Sequence, residues 1–194
     1  MKIETTAEIA FPRDIVFSTY RDHLVDMVPY LANVRGITIT SRIDEGSIAK
    51  FVNRWKGGGE IPSVVRKFVS EDLLQWDDLA TWNALDFTCQ WQTVVPSFKD
   101  AVDARGHNTF VEKRPGVTTL TISGDLKVDA RKVKGVPGLL AGTVGPAIEG
   151  FLVAAIKPNL VSVAKGVTGY LPISNARSAP FPRPRTTRHP VRVR

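Results

Sequence analysis

Residues 136–171, VPGLLAGTVGPAIEGFLVAAIKPNLVSVAKGVTGYL, constrain the architecture of this chain more than any other stretch. From Ile148 onward the apolar positions are Ile148, Phe151, Leu152, Ala155, Ile156, Leu160, Val163, Val167 and Tyr170. Steps of three and four lay one broad apolar stripe along a helix. Glu149, Lys157, Ser162 and Lys165 fall mostly off that stripe. Pro146 suits a first helical turn, where its missing N–H costs nothing, and Pro158 predicts a kink. A helix this apolar on one side needs a sheet to cover.

The upstream sequence supplies that sheet. Residues 2–11 alternate, with Ile3, Thr5, Ala7, Ile9 and Phe11 on one face, and read as a half-buried strand. Pro12 ends it and opens a short helix carrying Ile15, Val16, Thr19 and Tyr20 at helical spacing. A second short helix over 24–31, interrupted at Pro29, is predicted next. Strands over 34–43 and 47–56 flank the turn signal Asp44-Glu45-Gly46, with Ala49, Phe51, Asn53 and Trp55 sharing a face. The triple glycine Gly57-Gly58-Gly59 reads as a turn, and 57–73 as a short helix or irregular segment. A second hairpin pairs 74–83 with 86–95 around Ala84-Leu85, placing Phe87, Cys89, Trp91 and Thr93 on one side. Strands over 101–113 and 117–128 meet at Arg114-Pro115-Gly116. In the last of them Leu120, Ile122, Gly124, Leu126 and Val128 point inward and Thr119, Thr121, Ser123, Asp125 and Lys127 outward.

A run of antiparallel strands followed by one covering helix is an α+β architecture. With 194 residues and 43% hydrophobic content, one domain with a sizeable core is expected. The net charge of +7 belongs mainly to the end of the chain. Residues 171–194 hold six arginines, no acid and five of the 13 prolines, leaving 20 basic against 19 acidic residues before them. The expected division is a domain over 1–171 and a disordered, Arg/Pro-rich basic tail over 172–194. Such a tail is able to make weak contact with an anionic surface, but it carries no fingerprint of sequence-specific nucleic-acid recognition. No signal-peptide pattern and no transmembrane segment stands out, so a soluble cytoplasmic protein is expected. The single cysteine, Cys89, excludes an intramolecular disulfide and reads as a small buried apolar residue.

Four pieces, in this order, resemble the START/Bet v1-like (SRPBCC, polyketide cyclase/dehydrase and lipid-transport) superfamily. They are the opening strand running into Phe11-Pro12-Arg13-Asp14-Ile15-Val16-Phe17, the Asp44-Glu45-Gly46 hairpin, the strand Leu120–Val128 and the helix from Pro146 to Leu171. The resemblance covers roughly residues 1–171. It implies a helix-grip fold, in which a curved antiparallel sheet of about seven strands wraps a long C-terminal helix, with two short helices after the first strand. It also implies a cavity between sheet and helix that holds an apolar ligand such as a lipid or polyketide. The superfamily has no universal catalytic motif to carry over.

No nucleophile elbow, zinc-protease motif, phosphate loop or dinucleotide fingerprint occurs in the chain, and His23, His107 and His189 lie far apart without metal spacing. No metal or cofactor is expected. His107 falls on the outward face of its strand. The polar residues on inward faces are more informative: Asn53 between Phe51 and Trp55, Asp78 between Trp76 and Ala80, and Asn108 before Phe110. They either satisfy one another in a core or orient a ligand. Trp55, Trp76, Trp82 and Trp91 either fill the core or wall a pocket.

The candidate lining on the sheet side is Phe51, Asn53, Trp55, Trp76, Asp78, Phe87, Trp91, Asn108, Phe110, Leu120 and Ile122. On the helix side it is Ile148, Phe151, Leu152, Ala155 and Ile156. The expected function is binding, with transport or sequestration as its forms, of a hydrophobic small molecule. The alternatives are a cyclase/aromatase-like enzyme using the same cavity and a ligand-regulated interaction or stress-related protein.

Overall fold

In the computed structural model the described residues are 2–58, 74–96, 101–132 and 162–172, with positions 142, 146, 147 and 150. Strand β1 spans Lys2–Ile9 and helix α1 Arg13–Asp22. The hairpin β2 (Val34–Glu45) and β3 (Ile48–Gly57) follows, then β4 (Gln75–Asn83) and β5 (Thr88–Val94). Strands β6 (Val102–Arg114) and β7 (Val117–Val128) close the series, and residues 162–172 are helical. The seven strands form one antiparallel sheet in the order β1-β7-β6-β5-β4-β3-β2. Every consecutive pair from β2 to β7 is an antiparallel neighbour, and β1 closes onto β7. This is the helix-grip α+β arrangement.

The period of two is clearest in β1, β3, β4 and β5 and decides which side is core; β2 is exposed along most of its length. In β3, Ala49, Phe51, Asn53 and Trp55 are buried while Lys50, Arg54 and Lys56 are exposed. One step apart, the same two strands carry opposite chemistry. Arg54 makes a two-pronged bond to Asp77 on the solvent face (2.8 and 2.9 Å), whereas Asn53 meets Asp78 on the inner face. A register slip of one residue would bury the first pair and expose the aromatics. In β7, Leu120, Ile122 and Leu126 are each 1% exposed, as the alternation predicts. Thr119 departs from it: predicted outward, it is buried.

Turn chemistry sets the hairpin ends. Gly46 and Gly116 adopt φ of 64° and 73°, the left-handed region that glycine enters without steric cost. The β4–β5 turn is longer than the two residues expected at Ala84-Leu85. Asn83 donates to Asp86 and accepts from the Leu85 amide, and Thr88 donates to Asp86, which together hold a four-residue turn over 84–87. Phe87 therefore sits in the turn at φ 54° rather than opening the strand.

Helix α1 packs by rings. Phe17 meets Trp82, Phe87 and Phe110 edge-on, each at 5.3 Å between centroids, and Tyr20 meets Trp82 at 5.0 Å. The buried face is Val16, Phe17, Thr19 and Tyr20. Ile15, expected on that face, is 38% exposed because Phe17 takes the inward position. The second short helix is a 3-10 turn at Val28–Tyr30 with Pro29 in its first positions. It supports the C-terminal helix through two glycines. A Cβ on Gly166 would lie 2.7 Å from Leu31, and one on Gly169 would lie 2.9 Å from Tyr30. His23 and Tyr170 stack nearby at 5.5 Å, with 3.2 Å between hydroxyl and Nδ1.

In the C-terminal helix Val163 and Val167 are buried and Lys165 is exposed, following the predicted stripe, whereas at its end Leu171 is buried and the predicted Tyr170 is only half-buried. Ser162, predicted off it, is 4% exposed. Gly57 belongs to β3 rather than to a glycine turn. The expected kink at Pro158, the segment 59–73 and tail residues 173–194 lie outside the described residues. Among the described residues no helix is long and apolar enough to cross a membrane.

Candidate ligand cavity

Three rungs of cross-strand partners build the inner face. One runs Ala49–Trp82–Cys89–Asn108–Ile122, the next Phe51–Ala80–Trp91–Gly106–Gly124, and the third Asn53–Asp78–Thr93–Ala104. Trp55 faces Trp76 one step beyond, and their rings stack at 5.8 Å and 16°. Small residues in the middle rung leave Trp91 room to lie along the sheet. Its ring covers Gly106 and Gly124, and a Cβ on Gly124 would fall 2.7 Å from it and 2.5 Å from the Arg105 carbonyl oxygen. In that pose the Trp91 indole Nε1 donates to Asn108 Oδ1 at 3.0 Å.

Above these rungs lies a cavity of about 40 Å³ open to water-molecule centres. One enclosed water needs roughly 10–15 Å³ by the same measure, so there is space for a few. Its described lining comes from α1 (Tyr20) and the turn after it (Leu24), from the sheet, and from the C-terminal helix (Val163). The sheet contributes Trp55, Trp76, Asp78, Ala80, Trp82, Cys89, Trp91, Thr93 and Asn108. Four indole rings and a phenol thus surround one carboxyl. A larger depression on the opposite side, bordered by Leu79, Gln90, Arg105 and His107, is open to solvent and more polar.

Asp78 is the chemically distinct group. It is part-buried and lines the cavity. Burial pushes its carboxyl up to about 6, and the hydrogen bond from Asn53 Nδ2 (3.3 Å) offsets this only in part. Its charge also reaches its neighbours. Burial first, and then Asp78, raise the Tyr20 hydroxyl and the Cys89 thiol well above their ordinary values, while a side-chain hydrogen bond with Asn108 opposes the rise at Tyr20. Both therefore stay protonated at neutral pH. Two buried polar atoms beside the cavity, Asn53 Oδ1 and Trp55 Nε1, have no partner among the described residues. Among the described residues no three His, Cys, Asp or Glu side chains come together to hold a metal ion.

The residues singled out from sequence divide into three groups. Trp55, Trp76, Asp78, Trp91 and Asn108 line the cavity together, and Asn53 holds Asp78 from just outside the described lining. Phe51, Phe110, Leu120 and Ile122 are buried in the adjoining core. Phe87 stands apart, packed on Phe17 with the Arg13 guanidinium 4.0 Å above its ring. Ile148, Phe151, Leu152, Ala155 and Ile156 lie outside the described residues. The sequence-based selection omitted Tyr20, Leu24, Ala80, Trp82, Cys89, Thr93 and Val163. Trp82, Cys89 and Thr93 were legible as inward positions. Tyr20 and Leu24 carried only an i, i+4 spacing.

The sheet order with its C-terminal helix is a START/Bet v1-like helix-grip fold, and solved structures share that fold. The Zhui aromatase/cyclase from a Streptomyces species superposes with a TM-score of 0.63 at 17% identity, covering 87% of this chain and 92% of that one. A Thermus thermophilus protein matches at TM-score 0.58 and 15% identity, over 92% of this chain and 100% of its own. Norcoclaurine synthase from Thalictrum flavum matches at TM-score 0.52 and 16% identity, over 88% and 86%. Identities this low establish the fold. No protein-family model matches the chain, and no curated protein matches it by sequence.

Proposed function

We propose that the protein binds a ring-bearing hydrophobic small molecule in the cavity between the sheet and the C-terminal helix. The observation that carries this reading is the wall itself: four tryptophans and a tyrosine leave a void beside a single carboxyl, which side chains would have to part to widen for a ring compound. Packed cores leave few voids larger than a water molecule, whereas ligand sites combine apolar walls with a few fixed polar groups. Asp78, Asn108 and Thr93 are those groups here. Two tests bear on the proposal: analysis of small molecules extracted from the purified protein by mass spectrometry, and titration with naphthalene followed by tryptophan emission. A co-purifying ring compound or a saturable emission change supports it. Absence of both overturns it.

A second reading, a cyclase/aromatase-like enzyme, is favoured by one specific observation. Burial pushes the Asp78 carboxyl up to about 6 at the cavity wall, where it is able to exchange a proton with a bound substrate. Turnover of a polyketide-like chain by the wild type, lost in Asp78→Asn with ligand affinity retained, would separate catalysis from binding.

A further inference from the structure

The cavity wall presents π-faces and one acid, and no Lys, Arg or His occurs among its described lining residues. Asp78 is approached by Tyr20 from α1, Cys89 from β5 and Asn53 from β3, none of which brings a positive charge. Among the described residues its one hydrogen bond is the 3.3 Å bond from Asn53. At neutral pH an ionised carboxylate here has no counter-charge from the described wall, a costly arrangement in a poorly solvated site. The surroundings favour one kind of partner. Indole and phenol rings carry negative faces that attract cations, most strongly when water is excluded. An anionic head group would instead meet Asp78 with like charge.

We propose that the ligand is a cation: a protonated amine borne on a small apolar or aromatic ring, with its ammonium on Asp78 and its body among Trp55, Trp76, Trp82 and Trp91, which must part to admit it because the void as it stands holds only a few waters. This rests on the cavity being a ligand site and narrows the class of molecule it takes. It disfavours fatty acids and other carboxylates, which the fold alone would admit. Neutral rings match the walls but leave Asp78 without a counter-charge from the described residues. The amine satisfies both.

The test is calorimetric titration of the full chain at pH 7.5 with phenethylamine, 2-phenylethanol and phenylacetate, which share a ring and differ in the charge of the head group. The expected order is amine tighter than alcohol by about tenfold or more, with phenylacetate weakest, consistent with desolvated cation–π and charge-assisted contacts. Asp78→Asn should bring the amine down to the affinity of the alcohol. A second measurement needs no variant. Phenethylamine stays protonated between pH 7.5 and 5, whereas with Asp78 at about 6 roughly one carboxyl in eleven is ionised at pH 5. Amine affinity in the wild type should therefore fall about tenfold over that range while alcohol affinity stays level. Alcohol binding as tight as the amine, or an amine affinity indifferent to both pH and Asp78→Asn, overturns the cation assignment and leaves the cavity standing as a ligand site. Failure of all three compounds to bind overturns the assignment and counts against the cavity as well.

Discussion

Asp78→Asn should change the pH dependence of stability in a direction opposite to that of most carboxylates. Burial lifts the Asp78 carboxyl from its ordinary 3.8 to about 6, so the folded protein holds this proton more tightly than the unfolded chain does. The resulting contribution to stability is fully present below about 3.8 and is lost as pH rises through about 6. At about 1.36 kcal/mol for each pH unit of separation, the full swing is about 3 kcal/mol. Asparagine keeps the shape and cannot ionise. The stability of Asp78→Asn relative to wild type should therefore rise by about 3 kcal/mol between pH 3.5 and pH 7.5, a urea-midpoint difference of about 1–2 M. Asp44, Glu112 and Asp129, all held below the ordinary carboxylate range by hydrogen bonds, titrate in both proteins and cancel in the comparison. Urea unfolding followed by circular dichroism at four or five pH values reads the difference directly. A stability difference flat to within about 0.5 kcal/mol across that range would refute the claim that burial raises the Asp78 carboxyl.

Other outcomes follow from the same wall. Gly124→Ala should destabilise by about 2–3 kcal/mol, because the new Cβ meets both the Arg105 carbonyl and the Trp91 ring; urea unfolding checks this. Asn108→Leu should cost about 1–3 kcal/mol by leaving the buried Trp91 indole N–H without its acceptor, with an accompanying shift in tryptophan emission. Cys89 is 1% exposed and its thiol is raised by burial, so in the native protein an aromatic disulfide reagent at pH 8 should label it on the order of 100-fold more slowly than in urea.

Much of the sheet was legible because alternation is a local signal. The phase of β7 from Leu120 to Leu126 and that of β3 from Ala49 to Trp55 follow from side chains two apart. Gly46 and Gly116 mark their turns because each needs a positive φ. Phase does not give register, however. That Asn53, Asp78 and Thr93 share one rung depends on strand pairings joining distant positions, which no single strand encodes. Phe87 misled for a local reason: side-chain bonds among Asn83, Asp86 and Thr88 lengthen the turn and take it out of the strand. Tyr20 was hidden differently. On α1 it satisfies the apolar spacing of any core-facing helix, and only packing against Trp82 places its hydroxyl at the cavity. Gly106 and Gly124 give no sequence sign of their use, since their value lies in what Trp91 does above them.

Ala80 offers the most direct test of the cavity as a ligand site. It lies between Phe51 and Trp91 on the middle rung, lines the cavity and is 4% exposed, so Ala80→Phe should fill the space while leaving the sheet paired. Naphthalene titration of both proteins, followed by tryptophan emission, should show saturable binding to the wild type and none to Ala80→Phe, whose circular dichroism spectrum stays unchanged. Equal binding by the two proteins would contradict the account, as would a wild type that binds no aromatic compound at all.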